Sequence, residues 1–184
     1  MSNSVNKDNK LHIKSLVLYI IITAVLTQID QVTKYIAEKH LYMKNDIDII
    51  KDVLTLTYLR NNGSAFGMFS GRIIAFVILT VIIVAVITYV IIRMPVNKRF
   101  LPMYVVCIML VSGAAGNFID RVRFGYVRDF IYFKLINFPV FNVADCYVTI
   151  AVIAFIILIL FVYKENEFDF LSIKKSVDNN ENKK

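Results

Sequence analysis

Ile73–Ile92 reads IIAFVILTVIIVAVITYVII, twenty residues without a charge. As a helix rising about 1.5 Å per residue, that run covers the ~30 Å hydrocarbon core of a bilayer. Three further apolar runs flank it. Phe100–Ile119 is equally long, with Pro102 in its first turn, where the missing N–H does no harm. Val143–Tyr163 carries Asp145 near its start as its only charge. Ser15–Ile29 spans only about 22 Å by itself, so its helix must continue past Asp30 and bring a carboxyl to the membrane boundary. Of 184 residues, 58% are apolar and 19% charged, with a mean hydropathy of +0.62. One small core cannot hide four fully apolar helices, which excludes a soluble globular enzyme, a disordered or collagen-like chain, and a large second domain. The expected fold is a mostly α polytopic membrane protein, with four transmembrane helices and a small extracytoplasmic β element.

The β element comes from Asp46-Ile47-Asp48-Ile49 and Leu54-Thr55-Leu56-Thr57-Tyr58, which alternate polar and apolar residues and predict two short strands. Asn61-Asn62-Gly63-Ser64 then predicts a turn. The expected organisation is a basic arm over 1–14, helices over 15–36, 71–93, 100–121 and 142–163, an extracytoplasmic segment over 37–70, and a short cytoplasmic loop over 94–99. A second extracytoplasmic loop, 122–141, carries Asp129, and a charged, solvated, mobile cytoplasmic tail occupies 164–184. Basic residues divide almost evenly between the two sides, but the short stretch Arg93–Arg99 carries Arg93, Lys98 and Arg99 without an acid. Dense short loops weigh most in the positive-inside rule, so both termini are placed in the cytoplasm. The net charge of +7 is then the ordinary basicity of membrane-flanking loops, and no nucleic-acid partner is expected. Cys107 and Cys146 lie within apolar runs and read as small hydrophobes.

Ionisable groups at membrane depth are expensive and need a reason. Here they gather at one end of the spans: Asp30 and Lys34 close the first, Asn117, Asp120 and Arg121 close the third, and Asn142 and Asp145 open the fourth. In Ser112-Gly113-Ala114-Ala115-Gly116-Asn117, small residues allow close approach by a neighbouring helix or an extended peptide. Gly113, Asn117 and Arg121 share one helical stripe. Asn142 and Asp145 fit an N-cap and its acidic partner in a capping box, which is a structural reason for both. Asp129, in Arg128-Asp129-Phe130-Ile131, has no such reason, and reads either as a surface-loop acid or as half of a carboxyl pair. Two carboxyls brought together beside the membrane can share one proton, one activating a water while the other polarises a carbonyl, with no metal and no cofactor. Intramembrane carboxylates with Asn and Arg also mark ion paths, but a transporter site belongs near the bilayer midplane.

The runs Asp30-Gln31-Val32-Thr33-Lys34, Asn61-Asn62-Gly63-Ser64-Ala65-Phe66, Gly113-Ala114-Ala115-Gly116-Asn117-Phe118-Ile119-Asp120-Arg121, Val127-Arg128-Asp129-Phe130 and Phe141-Asn142-Val143-Ala144-Asp145 together resemble bacterial lipoprotein signal peptidase, signal peptidase II. The resemblance covers the chain from about Ser15 to Tyr163. It implies an intramembrane aspartyl endopeptidase whose catalytic pair is Asp129 and Asp145. Its partners would be membrane lipid and a prolipoprotein signal peptide, cut just before a diacylglyceryl cysteine. It further implies substrate-binding or supporting roles for Asn61, Gly63, Gly113, Asn117, Arg121, Asn142 and Ala144, and for Asp30 and Lys34 near the site. A monomer in the bacterial cytoplasmic membrane, with its active site near the outer face, is the corresponding expectation. Ser64, where alanine is common, and the charged tail are the two departures.

Overall fold

The computed structural model describes residues 2–63 and 73–172. Ser64, Ala65 and Phe66, and the tail beyond 172, lie outside the described residues. Helix α1 (Ser2–Leu41) has no Pro or Gly to stop it and ends where Met43 turns left-handed, at φ 55°. It takes in the expected N-terminal arm and runs five residues beyond the expected end at 36. Strands β1 (Ile47–Ile50) and β2 (Leu54–Asn61) follow, then α2 (Ile73–Arg93), α3 (Leu101–Phe124), strand β3 (Val127–Phe133) and α4 (Val143–Ile157), which one π-helical stretch prolongs through Val162. Four of these helices are long and apolar enough to cross a membrane. The candidate span within α1 covers 32 residues, about 48 Å, so its end projects past a ~30 Å core.

Helix α3 is central, touching α1, α2 and α4, and is the most buried of the four spans. Pro102 sits at its first turn, and Gly125, at φ 76°, closes it by donating its N–H to the Arg121 carbonyl at 3.1 Å. The small residues of α3 admit α4 and α1 rather than a peptide. A Cβ on Gly113 would stand 2.5 Å from the Ala144 carbonyl oxygen, and one on Gly116 would collide with the Asp30 carboxylate. Because the obstacle at Gly113 is backbone, it cannot swing away. Gly113→Ala is expected to lower stability by about 1–3 kcal/mol, read as the thermal unfolding midpoint of purified protein; an unchanged midpoint would show that α4 yields.

The three strands form one antiparallel sheet in the order β1-β2-β3, laid over one end of the bundle against α1. β3 replaces much of the loop expected over 122–141. Its pairing sets Asn61 opposite Val127, Arg60 opposite Arg128 and Leu59 opposite Asp129. The chain then doubles back, and Phe141 exchanges backbone hydrogen bonds with Ile131 at 2.8 and 2.9 Å. Beneath the sheet, Phe130 packs with Ala37 and Leu41 of α1.

The opposite end holds the main apolar cluster, including Tyr19, Ile91, Met94, Phe100, Met103, Tyr104 and Tyr163. There, part of the expected mobile tail is ordered: Glu165–Leu171 forms a 3₁₀ segment folded against the cluster. Phe100 stacks on Tyr163 at 5.4 Å and meets Phe170 edge-on at 5.5 Å. Arg99 forks onto Glu167 at 2.8 and 2.9 Å, holding that carboxyl down to about 2. An exposed ion pair contributes little, so aromatic burial holds the segment; composition shows the charges but not which rings they flank.

Candidate active site

Successive side chains on a strand point to opposite faces. β3 uses this at Arg128-Asp129. Asp129 turns toward a cavity, while Arg128 turns toward α1 and α3. Asp129 is 1% exposed, which removes the surface-loop alternative. Asn61 donates its side-chain amide to Asp129 Oδ2 at 2.8 Å, and Asn142 donates to Oδ1 at 2.6 Å. Burial, and then the charge of Asp145, push the Asp129 carboxyl up to about 7, although these donors and Lys34 pull the other way.

Asp145 enters from the first turn of α4. The capping box is formed: the Asn142 side chain accepts from the Asp145 N–H, and Asp145 Oδ2 accepts from the Asn142 N–H, each at 3.1 Å. The cap leaves Asp145 Oδ1 to accept from Asn117 Nδ2 at 2.7 Å. Capping and cavity-facing chemistry therefore coexist in one side chain. Asn142 joins the pair, because its oxygen is committed to the cap and its amide must donate to Asp129.

The orientation of Asn117 is determined in the same way. Lys34 is 0% exposed and donates to Asn117 Oδ1 at 2.8 Å, so the amide nitrogen is the end that faces Asp145. Likewise the Gly63 N–H donates to Asn61 Oδ1 at 2.9 Å, turning the Asn61 amide nitrogen toward Asp129. Lys34 itself is held by Asp30 at 2.9 Å and lies 3.6 Å from Asp120. The second oxygen of Asp30 accepts the Ala144 N–H at 2.9 Å, tying α1 to the start of α4.

The two carboxyls face one cavity of about 730 Å³. Its polar lining includes Asn61, Gly63, Asn117, Arg121, Asp129 and Asp145, and Phe138, Val148 and Ile150 are among its apolar walls. Arg121 lies 4.9 Å over the Phe76 ring. Asn142 bridges the carboxyls from behind, while Asp30, Lys34, Gly113 and Ala144 support the site without lining it. Cys146, half-buried, lines the cavity beside Asp145.

Buried Arg128 and half-buried Gln31 and Glu38 escaped the sequence reading as parts of the site, and Asp120 was placed only in the polar layer at the end of the third span. Arg128 bonds Asp120, Glu38 and Gln31, and Gln31 in turn donates to Asp30, Asp120 and the Gly116 carbonyl. Burial works against the charge on Arg128, yet the Asp120 and Glu38 carboxylates outweigh it and raise its pKa. The available signal was i,i+4 and i,i+7 spacing: Gln31, Lys34 and Glu38 share one face of α1.

Four span-length apolar helices with a buried polar centre at one end define a multi-pass membrane protein. Comparison with known proteins gives the particular kind. The Signal peptidase (SPase) II family model matches residues 22–161. The lipoprotein signal peptidase of Enterococcus faecalis is 42% identical over 147 residues, covering 79% of this chain and 89% of that protein. That of Caldanaerobacter subterraneus is 42% identical over 143 residues, covering 77% and 95%. A solved structure described as a bacterial membrane enzyme, determined by the in meso method at 2.3 Å resolution, superposes with a TM-score of 0.69 at 38% identity. It covers 86% of this chain and 92% of its own. The chain belongs to the signal peptidase II family and is a multi-pass bacterial membrane peptidase.

Proposed function

We propose that this peptidase is an aspartyl endopeptidase, removing the signal peptide of a prolipoprotein by cutting before a diacylglyceryl cysteine. The observation that carries the reading is the Asp129–Asn142–Asp145 arrangement, two carboxyls facing one cavity, with Asn142 donating its side-chain amide to Asp129 and its backbone N–H to Asp145. A water between them attacks the scissile carbonyl. Asp145, at the positive end of α4 and beside an amide oriented by Lys34, is the ionised member and takes the proton from water. Asp129, with its pKa pushed up to about 7, retains the shared proton and gives it to the carbonyl oxygen. The tetrahedral gem-diol then collapses: the C–N bond breaks as Asp145 gives its proton to the leaving amine, and Asp129 takes a proton from a diol hydroxyl, which restores the pair and leaves a carboxylic acid. Arg121, Asn61 and Gly63 hold the peptide backbone, whose polar groups need partners at this depth.

Phe138, Val148 and Ile150 give the cavity an apolar side suited to acyl chains. Arg93, Lys98, Arg99 and Lys164 crowd the opposite end of the bundle, supporting cytoplasmic termini and a site near the outer face. The reading takes the working unit as a monomer, since one chain supplies every group the reaction needs. Purified protein incubated with a diacylated precursor and its unlipidated counterpart is expected to release a shorter product from the first alone, beginning at the lipidated cysteine by mass spectrometry. Equal cleavage of both, or of neither, would end the reading.

A further inference from the structure

Arg128 faces away from the cavity, and no step above touches it. It is nevertheless 4% exposed, and its guanidinium uses four of its five N–H donors. Nε and Nη2 meet the two oxygens of Asp120 at 3.2 and 2.8 Å, Nη1 meets Glu38 at 3.2 Å, and Nη2 also meets Gln31 at 3.0 Å. The Arg128 backbone N–H donates to the same Asp120 at 2.9 Å, and the Phe124 ring lies 4.6 Å from the guanidinium carbon. One residue of β3 is thus tied to α1 through Glu38 and Gln31, and to α3 through Asp120 and Phe124.

The next residue is Asp129. Consecutive Cα atoms are about 3.8 Å apart, so whatever sets the height of Arg128 over the helices sets that of Asp129. The β2–β3 ladder does not do this alone, because its register shifts between Leu56 and Leu59, immediately beside the Leu59–Asp129 pair. We propose that Arg128 is a positioning residue for the peptidase reaction, its fork holding β3 against α1 and α3 so that the Asp129 carboxyl stays across the cavity from Asp145. The proposal rests on the reading of Asp129 as a member of the catalytic pair.

Arg128→Lys separates positioning from charge balance. Lysine keeps a cation beside Asp120 but replaces the planar fork with a single point of bonding. This variant is expected to fold, with a melting temperature several degrees below the wild type because buried acceptors lose donors, and its turnover of the diacylated precursor is measured below that transition. Its KM should stay within about twofold while kcat falls by about tenfold or more, as misplacement of a reacting group by about 1 Å produces. A kcat within about twofold of wild type would overturn the proposal. Arg128→Met should lose more turnover if it folds, and its failure to fold leaves the Lys result decisive. Infrared titration of the Asp129 carboxyl, isolated as the difference from Asp129→Asn, needs no turnover. The charged groups facing it are Asp145 from α4, Lys34 from α1 and Arg121 from α3. In Arg128→Lys the midpoint should fall as Asp129 moves away from Asp145; an unmoved midpoint would also overturn the proposal. If wild-type protein leaves the precursor uncut, the functional reading fails and the infrared midpoint still decides the matter of positioning.

Discussion

Asp129→Asn is expected to lower cleavage of the diacylated precursor by about 10⁴-fold or more, the scale on which removal of a central catalytic group is felt. The substitution keeps the size of the side chain and removes only its ability to hold and release the proton. The protein should still fold. Asn61 and Asn142 both donate to Asp129, so an amide in its place sets one NH₂ against another and loses a hydrogen bond, a cost of about 1 kcal/mol. Against that, the variant no longer buries an ionisable carboxyl. The folded protein binds this proton more tightly than the unfolded chain, since the pKa rises from 3.8 to about 7. The group's contribution to stability is therefore fully present below pH 3.8 and is lost as pH rises toward 7. Wild-type protein should melt at lower temperature at pH 8 than at pH 5, and Asp129→Asn should flatten that slope. Turnover above a tenth of wild type would refute the catalytic assignment; an unchanged slope would refute the burial argument alone.

Asp120→Ala should produce the largest loss of stability. Its carboxylate is 0% exposed and accepts from the Arg128 side chain and backbone and from Gln31, with Lys34 at 3.6 Å. Removing it leaves two cations buried beside a vacancy. Losing one member of a buried ion-pair network costs about 3–5 kcal/mol, because the desolvated partners remain. Denaturant unfolding in detergent is the measurement, and a loss below about 1 kcal/mol would mean that water or Glu38 takes over. Asp120→Asn, which retains an acceptor for the Arg128 backbone, should lose less. Turnover should fall in both variants, because Lys34 orients Asn117 and Arg128 adjoins Asp129.

Local patterns were legible wherever their physics is local. The apolar run Ile73–Ile92 can only be a span, and Asn142 with Asp145 forms the capping box that their spacing requires. The alternation over residues 46–58 became β1 and β2. The strand Val127–Phe133 was as rich in β-branched and aromatic residues, but the adjacent charges Arg128 and Asp129 made it read as a loop. Their burial depends on Glu38, 90 residues earlier, and on Asn61, 68 residues earlier. The last turns of α1 were missed for the same reason, since Glu38 there answers a cation from β3.

From its residues alone, the chain determined four membrane-spanning segments, the end of the bundle where polar groups collect, and which acids needed an explanation. These follow from apolar run length, helix periodicity and capping, all within a few residues. Only the tertiary structure decided that Arg128 and Asp129 part company, one joining the buried ion network and the other the cavity. Alternation on a strand separates neighbours, but which face meets which helix is set by the register against β2 and the return of Phe141 onto Ile131. Contacts across such distances along the chain have no local signature.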